Sequence, residues 1–137
     1  MHTCPGGDHD STHSADVDYA GLLPELFRLK VGRFYVQLAS EADRRRVLTT
    51  LRDLLKPGQI LFVGVTDPMN PKIESSEWVR DRVLEAAEFI PLAWLGTTDD
   101  CGFSPFADDT STSRDTAFAK VKHRVEGTAM ADKVLRV

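Results

Sequence analysis

Three residues whose side chains bind soft metal ions stand near the two ends of this sequence. His2 and Cys4 lie in "HTC" at the start, and Cys101 lies in "DDCGF" at 99–103. The His-x-Cys spacing puts both side chains on the same side of an extended segment, because side chains alternate with a period of two. Imidazole nitrogen and thiolate sulfur suit zinc, which takes tetrahedral sites. His2, Cys4 and Cys101 are therefore candidate ligands of one zinc ion with one coordination position left open.

The same residues allow plainer interpretations. His-x-Cys alone is a weak motif, and it also fits an incidental histidine beside a small buried cysteine. A disulfide is disfavoured, because the N-terminal segment does not resemble a secretion signal and two cysteines are too few for a disulfide scaffold. The next segment, "GGDHDSTHSAD", carries His9 and His13, and we interpret it as a solvated polar loop rather than a second metal site.

Composition limits the class of protein. The 137 residues carry a formal net charge of −4, with 42% hydrophobic and 28% charged residues. Such a chain is expected to be soluble and globular, with the length of about one domain. The acidic balance disfavours nucleic-acid binding. No apolar run reaches the ~18–20 residues that span a bilayer, so we expect no membrane partner and a cytoplasmic location.

Short apolar runs alternate along the chain with amphipathic segments. Apolar runs rich in β-branched and aromatic residues predict buried strands at 33–40, 59–67 and 93–101. Helical spacing of apolar residues predicts helices at about 15–30, 41–56, 75–89 and 112–132. Ser75 or Ser76 is expected to cap the third helix. The last helix is expected to pack through Ala117, Phe118, Val121 and Val125.

This order of elements predicts a parallel α/β fold. Strands that alternate with helices pair in parallel through right-handed crossovers, and nearly continuous apolar strands fit a sheet covered on both faces. A doubly wound sheet and part of a (β/α)8 barrel both satisfy the pattern. We favour part of a barrel, because a complete one needs about 250 residues and positions 2–4 have the pattern of a strand end. We expect residues 1–137 to be a single partial domain, the C-terminal half of a barrel from a longer protein.

In either fold the candidate ligands meet at one edge of the sheet. The loops that follow parallel strands emerge at its carboxyl end, where functional residues lie. Asp99 and Asp100, next to Cys101, are candidates to orient the zinc ligands as hydrogen-bond acceptors, or else to cap the loop. Asp67 ends the strand at 59–67, where it is placed either to face a substrate or to cap a turn.

Three segments resemble the cobalamin-independent methionine synthase family, in the family's order and spacing. "HTCPGGD" resembles its His-x-Cys zinc segment. "VGVTDPMNPKIESSEWVRDRVLEAAEFIP" (63–91) resembles its Gly-Val strand and following helix, and "LGTTDDCGF" (95–103) its strand that ends in Asp-Cys-Gly. The resemblance implies a (β/α)8 barrel, of which this chain covers the last half, with zinc at the carboxyl ends of the strands. It implies that His2, Cys4 and Cys101 are zinc ligands.

The resemblance also implies an activity, zinc-dependent alkyl transfer to a thiol in methionine biosynthesis. In the synthases zinc binds homocysteine and lowers the pKa of its thiol, and the thiolate takes a methyl group from 5-methyltetrahydrofolate polyglutamate. The implied partners are therefore a small-molecule thiol and an alkyl donor. A homo-oligomer is left open, and no catalytic residue is assigned beyond the zinc site.

Two positions depart from the synthases. Gln37, in "YVQLASEADR", stands where they have a glutamate zinc ligand, so it is the candidate fourth-ligand position; Glu41 is a poorer substitute. Met69 stands where they have a histidine suspected as an acid. The pattern is closer to a branch that includes epoxyalkane:coenzyme M transferases, in which the thiol is coenzyme M and the electrophile is an epoxide. An inactive fragment or zinc-binding module is the alternative of another class.

Overall fold

The computed structural model describes residues 1–4, 17–104 and 110–137, where strands and helices alternate. The strands are β1 (His2–Thr3), β2 (Arg33–Val36), β3 (Ile60–Thr66) and β4 (Leu95–Asp99). The helices are α1 (Tyr19–Leu26), α2 (Arg44–Leu54), α3 (Ser76–Ala87) and α4 (Arg114–Leu135). Each overlaps the segment that the sequence predicts for it, and β1 confirms the predicted strand end. The loop interpretation of His9 and His13 falls outside the described residues.

The strands form one parallel sheet in chain order, β1-β2-β3-β4. A doubly wound sheet reverses its strand order at a switch point, whereas consecutive strands of a (β/α)8 barrel keep chain order. The sheet therefore confirms the α/β class and separates the two architectures that the sequence leaves open. It has the order of a barrel segment.

The hydrophobic core lies between one face of this sheet and the helices. Alternate residues of β2 and β3 are fully buried on that face, because side chains of a strand alternate between its two sides; they are Phe34, Val36, Leu61, Val63 and Val65. The buried helix residues that face the core include Leu23, Leu48, Leu51, Val79 and Val83. On the other face Tyr35 and Phe62 are paired in register and stack with ring centroids 4.5 Å apart.

Local capping sets where the helices begin. Ser75 caps α3, as predicted, by accepting a hydrogen bond from the Trp78 N–H at 3.1 Å. Asp43 caps α2 in the same way, and Ser113 caps α4. These caps fix the point at which each loop from the carboxyl edge of the sheet turns into a helix. No helix within the described residues is both long and apolar enough to cross a bilayer.

The predicted packing face of α4 is wrong for two of its four residues. Phe118 and Val125 are exposed, whereas the buried residues of α4 are Lys120, Gly127 and Ala131. Gly127 lets α4 approach α3 closely, since a Cβ there would lie 2.5 Å from the Ser76 carbonyl oxygen. The helix therefore packs through small residues and one lysine, and not through its large apolar side chains.

Candidate functional site

The carboxyl edge of the sheet brings Cys4 and Cys101 together. Cys4 follows β1 and Cys101 follows β4, yet their thiols are in hydrogen-bond contact and are not joined by a disulfide. Neighbouring strands lie about 4.8 Å apart, so a flat sheet would separate β1 from β4 by about 14 Å. The contact therefore depends on a curved sheet and on loops that reach across the ends of β2 and β3.

The surroundings of Cys101 disfavour its thiolate when no cation is present. Its pKa is raised by the hydrogen bond with Cys4, by burial, and by the negative charges of Asp100 and Asp67. A divalent cation between the two sulfurs would reverse this balance, because metal binding deprotonates a coordinating thiol. The two sulfurs thus offer a pair of donors that suits a soft cation, and the negative charges of Asp100 and Asp67 favour its charge.

His2 is the third predicted ligand, and the structure does not group it with the two cysteines. It belongs to β1 and its side chain is exposed. Within residues 1–4, 17–104 and 110–137, no three histidine, cysteine or acidic side chains form a group that could hold a metal ion. The structure therefore joins Cys4 with Cys101, and a ligand role for His2 stays a prediction.

The candidate fourth-ligand position, Gln37, lies just beyond β2 and is buried. Its Nε2 donates to Glu41 Oε1 at 2.8 Å, so the two residues considered for this role form one pair. Its backbone N–H lies 3.2 Å from the hydroxyl of Tyr19. Because the amide nitrogen is held by Glu41, the carbonyl Oε1 of Gln37 is the atom with which it could bind a cation.

Asp100 is a buried carboxylate, only 1% exposed, that binds the loop after β2. Its Oδ1 accepts from the N–H groups of Leu38 and Ala39, and its Oδ2 accepts from the N–H and Oγ of Ser40, each at 2.8 Å. Burial raises the pKa of Asp100 to about 6, against the lowering effect of these hydrogen bonds. A Cβ on Gly64 would overlap the Asp100 carboxylate, so only glycine there lets this side chain cross β3.

The other two predicted acids have different partners. Asp99 pairs with Arg124 of α4 at 3.0 Å, and burial raises its pKa. Asp67 accepts a hydrogen bond from the Met69 N–H at 2.9 Å through Oδ1, which is the turn role considered for it. Asp67 also lies close enough to Cys101 to affect the pKa of that thiol. Of the two, Asp67 is the one that the structure places beside the thiol pair.

Asp67 also borders a cavity of about 330 Å³ between the loops that follow β2 and β3. The cavity is lined by Ala39, Asp67, Asn70, Lys72, Ile73, Glu74, Ser75 and Trp78. Apolar and charged side chains thus face one space, which is typical of a small-molecule site. Asp67 is the residue that this cavity shares with the charged surroundings of Cys101.

Lys120 is a residue near the site that the sequence does not predict; it is fully buried although it is charged. Its Nζ donates to the carbonyls of Asp67 at 3.0 Å and Lys72 at 2.7 Å, and to Glu74 Oε2 at 2.9 Å. Lys120 thereby holds the loop that carries Asp67. A signal exists in the spacing 120, 127, 131, which places this lysine on the same helix face as the small residues Gly127 and Ala131.

Comparisons with known proteins bear on both the fold and the site. Residues 8–129 match the model of a family described as the catalytic domain of cobalamin-independent synthase. The solved structure of a B12-independent methionine synthase from Shewanella sp. W3-18-1, in complex with selenomethionine, superposes with a TM-score of 0.75 at 20% identity. The match covers 98% of this chain and 38% of that one. No curated protein sequence matches the chain. The structural likeness agrees with the strand order and confirms the predicted fold class.

Proposed function

The chain belongs to the cobalamin-independent synthase family, and on that premise we propose that it supplies the metal-binding part of a site for zinc-dependent alkyl transfer to a thiol. The observation that carries the proposal is the contact between Cys4 and Cys101 at the carboxyl edge of the sheet. The reaction type that fits the family is methyl transfer to homocysteine. A reducing, cytoplasmic location belongs to the proposal, because both sulfurs must stay reduced to bind metal.

Zinc would be held by Cys4 and Cys101, with His2 as third ligand and Gln37 Oε1 at the fourth position. When bound, zinc acts as a Lewis acid that stabilises the thiolate of a substrate at neutral pH. The chain's own part is to keep two sulfurs adjacent at the carboxyl edge of the sheet. The negative charges of Asp67 and Asp100, which disfavour the thiolates alone, favour a cation between them.

The cavity beside Asp67 is where we place the body of the thiol substrate. Its walls include the apolar side chains of Ile73 and Trp78 together with Asp67, whose charge acts on Cys101. Lys120 fixes the wall between Asp67 and Glu74, so the cavity has a defined shape before a ligand arrives. A preformed wall lowers the entropy cost of binding the thiol in one orientation.

The experiment that tests the proposal is the metal content of the purified chain by elemental mass spectrometry. We expect about one zinc per chain in the wild type, because the cysteine pair with one or two further ligands makes a zinc site. Cys4→Ser and Cys101→Ser should each lose most of the metal. His2→Gln tests the third ligand, and His123→Gln is its matched control, since His123 bonds the Glu74 carbonyl instead. Stoichiometric zinc in both serine variants would overturn the assignment.

Gln37→Glu tests the fourth position. The new carboxylate would stand beside Glu41, whose Oε1 is 2.8 Å from Gln37 Nε2 in the wild type. A cation would relieve that repulsion, so we expect Gln37→Glu to bind zinc more tightly in competition with a chelator. The double variant Gln37→Glu with Glu41→Gln keeps one carboxylate in the pair and separates ligand charge from repulsion. Unchanged affinity in both would place residue 37 outside the metal's ligand set.

A second candidate function is epoxide opening by coenzyme M. It is favoured by Gln37 and Met69, which stand where the methionine synthases have a glutamate and a histidine. Calorimetric titration of the zinc-loaded chain with homocysteine and with coenzyme M distinguishes the two. Binding of zinc but of neither thiol would favour the third alternative, an inactive fragment or a zinc-binding module.

A further inference from the structure

The segments that carry Cys4 and Cys101 are fastened to one place, residues 37–40 at the carboxyl end of β2. We propose that Tyr19 and Asp100 are positioning residues, which set the separation of the two thiols by binding consecutive backbone N–H groups of this segment. The consequence for zinc binding rests on the proposed function. The positioning itself concerns the metal-free chain and stands on the contacts described below.

Tyr19 fastens the Cys4 side. Its ring is buried, with 2% of the residue exposed, and its hydroxyl donates to the Thr3 carbonyl at 3.0 Å. The same oxygen lies 2.6 Å from Thr3 Oγ1 and 3.2 Å from the Gln37 N–H. One hydroxyl therefore joins the residue before Cys4 to the end of β2. β1 is only two residues long, and backbone bonds from the Tyr35 N–H to the Met1 carbonyl and from the Gln37 N–H to the Thr3 carbonyl also hold it against β2.

Asp100 fastens the Cys101 side. Its two carboxylate oxygens take up the next three N–H groups, those of Leu38, Ala39 and Ser40. Because Asp100 directly precedes Cys101, any shift of this carboxylate moves the thiol with it. Hydrogen bonds to a carboxylate are stronger than those between neutral groups, so this attachment is the firmer of the two.

The two attachments together occupy an unbroken run of donors. The N–H groups of residues 37, 38, 39 and 40 point to side chains from two separate elements, Tyr19 at the start of α1 and Asp100 directly after β4. The Gln37 N–H also donates to the Thr3 carbonyl at 3.2 Å, whereas the N–H groups of Leu38, Ala39 and Ser40 lie past the strand end and are taken up by Asp100. Here the segment is a shared attachment point for the chain next to Cys4 and the chain next to Cys101, which are far apart in sequence. The geometry of the thiol pair therefore depends on both side chains at once.

The test uses the metal-free full chain and phenylarsine oxide, a trivalent arsenical that binds tightly only when two thiols reach one arsenic atom. Tyr19→Phe removes one oxygen, and Asp100→Asn replaces an acceptor by a donor that faces backbone N–H groups. Each should weaken arsenical binding about tenfold, the equivalent of one or two lost hydrogen bonds. The alkylation rate of single thiols by iodoacetamide should stay within about twofold in Tyr19→Phe, because the buried ring of residue 19 stays in the core and only its hydroxyl is lost.

The controls are matched residues that do not bind the N–H groups of residues 37–40. Tyr35→Phe changes the other tyrosine, which stacks on Phe62. Asp81→Asn changes an exposed acid of α3, which pairs with Arg80. Both should bind the arsenical as the wild type does. If Asp100→Asn does not fold by circular dichroism, Tyr19→Phe still decides the question, since it differs from the wild type by one atom.

Two outcomes separate this inference from the proposed function. If Tyr19→Phe and Asp100→Asn bind the arsenical as tightly as their controls, the positioning role of Tyr19 and Asp100 is overturned, even if every form contains zinc. In the other outcome, the wild type binds the arsenical but contains no zinc, and both variants bind the arsenical more weakly. The positioning role of Tyr19 and Asp100 is then supported, and the zinc assignment fails.

Discussion

Two buried charges, Asp100 and Lys120, hold the two loops that border the candidate site, and they use opposite backbone groups. Asp100, with 1% of its surface exposed, takes N–H groups from the loop after β2. Lys120, with none exposed, takes carbonyl groups from the loop after β3. One charge comes from the end of a strand and the other from the middle of α4. Each loop is thus fixed by a distant element in addition to its own turn bonds, such as that from the Met69 N–H to Asp67.

The two differ in how the charge is balanced. Asp100 is balanced by dipoles alone, from three consecutive residues and the Ser40 hydroxyl. Lys120 has a full counterion in Glu74, whose other oxygen accepts the Asp67 N–H at 3.0 Å. A charge held by dipoles leaves neutral groups behind when it is removed, whereas removal of Lys120 leaves Glu74 charged and buried. Loss of Lys120 is therefore expected to lower the free energy of unfolding more than loss of Asp100 does.

Lys120→Met is the largest test of this difference. Methionine fills a similar volume, but it leaves Glu74 Oε2 and the carbonyls of Asp67 and Lys72 without the ammonium donor. Breaking a buried ion pair by removing one partner costs about 3–5 kcal/mol in free energy of unfolding. Denaturant titration followed by circular dichroism measures it. The loop at 67–74 should open with it, so chymotrypsin cleavage near Trp78 should quicken.

The control for this prediction is Lys122→Met, two residues away on the same helix. Lys122 is exposed and lies 3.8 Å from Glu126, a surface pair worth less than about 1 kcal/mol. The double variant Lys120→Met with Glu74→Gln should recover part of the loss, since it removes the stranded charge. Equal costs for Lys120→Met and Lys122→Met would contradict the role given to Lys120.

Gly64→Ala tests the Asp100 side of the comparison without touching any charged group. The added Cβ would overlap the carboxylate of Asp100, which must then withdraw from the loop after β2. Overpacking of this kind costs about 1–3 kcal/mol in free energy of unfolding, again measured by denaturant titration. Gly32→Ala is the matched control, because a Cβ at Gly32 meets nothing within 4 Å. Equal stability of the two variants would show that Asp100 reaches the loop by another path.

Sequence alone predicts the elements of this fold well, because apolar runs and helical spacing report directly on burial. It also places Cys4 and Cys101 at one edge, since parallel strands send their following loops to the same side. It does not predict the buried role of Lys120, because lysine is almost never fully buried unless it is paired, and the pairing partner lies in another element. The exposed Phe118 shows the same limit from the opposite side: apolar spacing assigned it to a packing face that small residues fill instead.

The hydrogen bonds of Tyr19 and Asp100 to residues 37–40 are not predicted by the sequence either, although the sequence does indicate a role for Asp100. Its position beside Cys101 indicates a role near the metal, but a hydrogen bond to Leu38 depends on the curvature that brings β4 and the β2 loop together. Tyr19 gives no signal at all, since a tyrosine at a helix start fits the core pattern without its hydroxyl. Polar contacts between distant elements follow from the fold and not from local spacing.

Ser40→Ala is the smallest and the sharpest test of the dipole-balanced side. It removes one of four donors to Asp100, the Oγ at 2.8 Å, while the backbone N–H of residue 40 stays in place. A single hydrogen bond to a charged acceptor contributes about 1.5–3 kcal/mol, and partial exposure of Ser40 puts the expected loss at the low end. Ser76→Ala is the control, since the Ser76 Oγ bonds the exposed Glu126 carboxylate at 2.9 Å. If dipoles alone balance Asp100, Ser40→Ala should be measurably less stable than Ser76→Ala; a loss no larger than the control's would mean that the three N–H groups already suffice.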